Sequence, residues 1–165
     1  MLIEFMLILL KIALIISLCV IVYQDINERK VYLWILFAIV ALFGFLHFQQ
    51  SLPEQFFLTI LSNIGVVFTI VFVLFLYAKL KLKLPFADTF GLGDVIFFLA
   101  IAIGFPTITF MILFSFSLFF SLILFLLLKK PLRHETVPLA GLQALFFSLI
   151  LLLNSAFNFI NLYQF

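Results

Sequence analysis

Phe90-Gly91-Leu92-Gly93-Asp94-Val95-Ile96 sets a Gly-X-Gly-Asp turn directly before an apolar run. Nearly everything around it is compatible with hydrocarbon. An ionisable side chain in or at the edge of a bilayer is costly enough to be a functional candidate by default. Gly91 and Gly93 carry no Cβ and tolerate positive φ, so backbone or a substrate strand can come close to the acid. A second acid stands in a comparable place, Asp25, at the end of the first apolar segment. The expectation is a chain built to hold Asp25 and Asp94 face to face.

Composition narrows the class. Of 165 residues, 67% are hydrophobic and 10% charged, whereas soluble domains run near about half apolar and about a quarter charged. This predicts an all-α, polytopic membrane protein. A net charge of +2 gives no basis for a nucleic-acid partner. The 26 Phe residues are expected to cover lipid-facing surface rather than form an aromatic site. Cys19 is the only cysteine, which excludes an internal disulfide and a Cys-based zinc site. The N-terminus lacks a basic region and a small-residue cleavage site, so the first helix is expected to stay.

Crossing the hydrocarbon takes about 20 apolar residues. Runs of this kind cover roughly Leu2 to Tyr23, Val31 to Phe48, Gln55 to Ala78, Ile108 to Leu128 and Val137 to Ile160. A shorter one, Val95 to Phe105, follows the Gly-X-Gly-Asp turn. These predict six transmembrane helices in a single domain over 1–165. Eight of the nine Lys and Arg fall in three connections: Arg29 and Lys30; Lys79, Lys81 and Lys83; Lys129, Lys130 and Arg133. With six spans those connections share one side, which the positive-inside rule makes cytoplasmic, and both termini lie outside. Tyr23, Tyr32, Trp34 and Tyr77 then fall at the inner interface and Tyr163 at the outer one, where amphipathic rings prefer to sit. The ninth cation, Lys11, is 14 residues from Asp25. That is about 21 Å along a helix, too far for shared chemistry.

The acids are Glu4, Asp25, Glu28, Glu54, Asp88, Asp94 and Glu135. Glu4 and Glu54 belong to the outer side, Glu28 and Glu135 sit among cations, and Asp88 lies in a polar loop. Asp25 closes the first helix and Asp94 opens the fourth, both at the cytoplasmic membrane edge in this topology. Two carboxylates close together in a poorly solvated place cannot both ionise easily, so the pair shares a proton. Such a pair works as base and acid at once. One member takes a proton from water while the protonated partner polarises a peptide carbonyl. That chemistry needs no cofactor or metal. Taken singly, each acid is accounted for equally well as a helix cap or a helix end meeting water.

Gly91-Leu92-Gly93-Asp94-Val95 resembles the signature of the type IV prepilin peptidases, the Gly-X-Gly-Asp membrane aspartic peptidases. Asp25-Ile26-Asn27-Glu28-Arg29-Lys30-Val31 resembles that family's first catalytic motif, and Val137-Pro138 its last-helix Ile-Pro-Phe-Gly-Pro. The ordered set spans nearly the whole chain. The resemblance implies an inner-membrane endopeptidase with Asp25 and Asp94 catalytic. It implies as partner a pilin-like precursor with a basic leader and a hydrophobic helix, cleaved on the cytoplasmic side. The absence of paired Cys-X-X-Cys motifs implies the minimal form, without methylation or zinc. The chain departs from the family at Tyr32-Leu33, at Ile96 and at Leu139-Ala140, positions that bear on substrate choice more than on reaction type. A non-enzymatic membrane component on the same scaffold, an assembly factor or transporter subunit, remains the alternative. It would tolerate loss of either acid.

Overall fold

The computed structural model describes residues 2–83, 90–128, 137–157 and 161–163. These residues form six α-helices: α1 (Leu2–Glu28), α2 (Leu33–Phe48), α3 (Pro53–Tyr77), α4 (Leu92–Gly104), α5 (Thr107–Leu128) and α6 (Leu139–Phe157). A π-helical turn, Ala78–Leu82, continues α3. Four helices are long and apolar enough to cross a membrane: Glu4–Glu28, Pro53–Lys81, Thr107–Leu128 and Leu139–Phe157. The chain is therefore an all-α, multi-pass membrane-type protein. Leu33–Phe48 and Leu92–Gly104 are shorter apolar helices.

Several boundaries differ from the hydropathy reading. α1 runs past Tyr23 to Glu28, because a helical amide ladder continues into polar sequence until the backbone turns. Here it turns at Arg29, whose φ of 55° is left-handed. Asp25 consequently sits in the last turns of α1 rather than beyond it. α2 begins at Leu33 and α4 already at Leu92. Of the basic connections, Lys129, Lys130 and Arg133 lie outside the described residues, as do Asp88 and Glu135.

α1 packs chiefly on α6 and α2 chiefly on α4, with α3 against α4 and α5 against α6. The phenylalanines divide, against the expectation that they would all face lipid. Phe43, Phe97, Phe98, Phe105, Phe110 and Phe147 are among the largest fully buried side chains. The Phe43, Phe105 and Phe147 rings meet at centroid distances of 5.4, 5.9 and 6.2 Å. Phe57, Phe68, Phe116 and Phe119 remain exposed, as do Tyr23, Tyr32, Trp34 and Tyr77. Tyr163, expected as an outer anchor, instead turns inward and stacks on Phe105 at 5.9 Å.

Polar side chains stitch the helices where backbone groups would otherwise be orphaned. Asn63 of α3, fully buried, donates through Nδ2 to the Ala102 and Phe105 carbonyls at 2.8 and 2.9 Å. Ile103, between those two residues, gives its carbonyl to His47 Nδ1 at 2.8 Å. The C-terminal end of α4 is thus closed by side chains from α2 and α3, and Phe105 leaves the helix extended before Pro106.

α2 and α4 approach closely because glycines face bulky neighbours. A Cβ at Gly104 would lie 2.6 Å from Phe43 Cδ1 and 2.8 Å from Cγ. Phe43 is fully buried and has nowhere to go. Gly104→Ala is expected to destabilise the protein by about 1–3 kcal/mol, the range for overpacking a filled core. Thermal unfolding in detergent checks this. Ala at Gly65, with nothing within 4 Å of its Cβ position, serves as the control.

Candidate active site

α6 begins after Pro138, and its first turn presents amides that have no partner within the helix. Two of these are consecutive, Ala140 and Gly141. The Ala140 N–H donates to Asp94 Oδ1 at 2.8 Å. The Gly141 N–H donates to Asp25 Oδ2 at 2.6 Å. Adjacent amides of one turn are neighbours, so the carboxylates they bind are neighbours too. Asp25, from the C-terminal end of α1, and Asp94, from the first turn of α4, are brought together at the start of α6. The positive end of the α6 dipole adds to the hold on both.

Small residues make this approach possible. A Cβ at Gly141 would lie 2.9 Å from Asp25 Cβ and 3.0 Å from its Oδ2. At Gly91 it would lie 3.1 Å from Asp94 Oδ2, the oxygen that Ala140 does not hold. Neither Gly91 nor Gly93 uses positive φ, contrary to expectation; Gly91 is extended at φ −73° and ψ 140°. Gly91 therefore matters for its missing side chain, which lets its own backbone sit against Asp94, and its amide is a further donor to that carboxyl. Gly93 has only ordinary contacts at 3.9 Å, to Leu36 and Val31.

Asp25 is buried and Asp94 partly so. Arg29 follows directly on α1. Burial holds its guanidinium below the usual range, with both Asp25 and Asp94 opposing that shift. The α1–α2 turn beside it is pinned by Gln24, whose Oε1 accepts the Tyr32 N–H at 3.3 Å.

A cavity of about 350 Å³ opens at the other end of the bundle, lined by His47, Gln55, Thr59, Pro106 and Tyr163 among others. It does not touch the acids. Among the described residues no three His, Cys, Asp or Glu converge as a metal site would require. What the acidic end can do chemically is exchange a proton between two fixed carboxyls, each anchored on an α6 amide.

Gly141→Val is expected to displace Asp25 and to separate the pair, because its β-branched side chain would have to occupy the carboxylate's place. Thiol cross-linking of cysteines at 25 and 94, with and without the valine, reads that separation.

No family model, curated protein or solved structure matches the chain, so its own residues carry the functional reading.

Proposed function

We propose that the chain is a membrane aspartic endopeptidase that removes the basic leader from type IV pilin-like precursors at the cytoplasmic edge of the inner membrane. The observation that carries this reading is the meeting of Asp25 and Asp94, from separate helices, on consecutive amides of a third. In the reading adopted here six helices span, α2 and α4 included, and both termini lie outside. The basic connections then share the cytoplasmic side with the acids. The exposed Tyr23, Tyr32, Trp34 and Tyr77 support that depth, since such rings favour the interface.

The catalytic sequence uses only the two carboxyls and water. The ionised member takes a proton from water, whose oxygen attacks the scissile carbonyl carbon while the protonated member donates to the carbonyl oxygen. Roles then exchange as the amine leaves. Each acid keeps one oxygen on a fixed amide, so the pair is oriented before substrate arrives, and preorganisation of this kind lowers the barrier. The substrate segment must be extended to expose its amide.

The test is cleavage by the purified protein of a panel of leader-bearing precursors, with sequencing of the new N-termini. Asp25→Asn and Asp94→Asn are each expected to lower the rate by at least about 10²–10⁴-fold while the protein still accumulates. Cleavage at the wild-type rate in either variant would reject the pair as catalytic and favour a non-enzymatic assembly role.

A further inference from the structure

Arg29 is the charged group at this end of the bundle that the pairing of the acids leaves unused. Its backbone sits at φ 55°, a region that non-glycine residues enter at a cost and that tends to persist at functional sites. Its Nε, Nη1 and Nη2 are all buried, and none has an acceptor among the described residues. A guanidinium carries five N–H donors and stays charged, so burying it unpaired is among the more expensive arrangements in a protein. Both Asp25 and Asp94 are near enough for their charges to act on it. Neither takes a hydrogen bond from it. No described residue supplies the acceptor these nitrogens call for, and a group that enters the site can supply it.

We propose that this acceptor is the scissile carbonyl oxygen of the peptide substrate, and that Arg29 is a third catalytic residue. This rests on the peptidase reading above. The carbonyl under attack has to lie between the two carboxyls, and a donor within electrostatic reach of both is placed to reach it. The protonated carboxyl occupies one lone pair of that oxygen and leaves the second for Arg29. Charge agrees with this: a dyad holding one proton carries one negative charge, which Arg29 balances at rest. As water's oxygen bonds to the carbonyl carbon, its proton passes to the ionised carboxylate and the carbonyl π pair moves onto oxygen. Arg29 and the protonated carboxyl hold that oxyanion. The pair then returns, the C–N bond breaks, and the nitrogen leaves with a proton from a carboxyl. Water's atoms end as the new acid's hydroxyl and one hydrogen of the new amine.

The experiment compares wild type with Arg29→Gly, Arg29→Gln and Arg29→Lys in purified full-length protein, following kcat, KM and pH profile on one leader-bearing precursor. Glycine suits the left-handed backbone, so that variant removes the side chain without strain. The Gly and Gln variants are expected to lose about 10²–10³-fold in kcat with KM little changed, as for removal of an oxyanion donor. Lys is expected to recover part of the loss. Millimolar methylguanidine is expected to restore part of the activity of the Gly variant, which a merely structural residue would not allow.

A loss confined to KM, a displaced pH profile with an unchanged plateau, or wild-type rates in the Gly variant would each overturn the proposal. So would failure of the Gly variant to accumulate, which would make Arg29 a determinant of folding. Wild-type protein that leaves every precursor intact would sink the peptidase reading itself. Active wild type with indifferent Arg29 variants would sink only this inference.

Discussion

Two neighbouring N–H groups at the start of α6 impose the constraint to which the rest of the bundle answers. In a low-dielectric interior no bulk water is at hand to satisfy them, and an unpaired backbone donor there costs several kcal/mol. Asp94 and Asp25 answer that demand from two other helices at 2.8 and 2.6 Å. The carboxylates have a need of their own, since burial without donors would be costlier still. One contact thus resolves two problems and fixes α1, α4 and α6 against one another. Pro138 before the turn and Gly141 within it are the sequence's accommodation: one contributes no further N–H, the other makes room for Asp25.

The far end of α4 follows the same logic with the signs reversed. There the orphaned groups are carbonyls, and Asn63 and His47 supply the donors. A short helix held at one end by side chains of α2 and α3, and at the other by its own Asp94 on an amide of α6, has little freedom to slide. The Phe43, Phe105 and Phe147 cluster fills the space between, and close approach at Gly104 locks α2 onto it. Asp94 therefore inherits its position from contacts made at both extremities of its helix.

Much of this was legible in the residues. Long apolar runs announce helices because nothing else satisfies the backbone in lipid, and Asp25 and Asp94 stood out as carboxylates with no solvent-facing excuse. What holds them was not legible. A backbone N–H has no residue signature, so Ala140 and Gly141 gave no sign beyond Pro138 marking a helix start. The glycines of the turn suggested positive φ, yet the left-handed residues proved to be Arg29 and Lys83, each directly after a helical segment. Hydropathy ended α1 at Tyr23 because it weighs side chains, whereas the amide ladder runs to Glu28. The division of the phenylalanines was equally hidden: in a uniformly apolar helix, only the neighbours decide which face turns inward.

The thirteen residues of α4 rise about 20 Å, while bilayer hydrocarbon is about 30 Å thick. Only Leu92 among the thirteen is exposed, so the helix is sheathed by its neighbours and need not match a bilayer as a lipid-bathed helix must. Its length answers instead to the span between Asn63 and His47 at one end and the Ala140 amide at the other. An inserted turn in α4 would thus meet protein at both extremities and could not be absorbed by lipid.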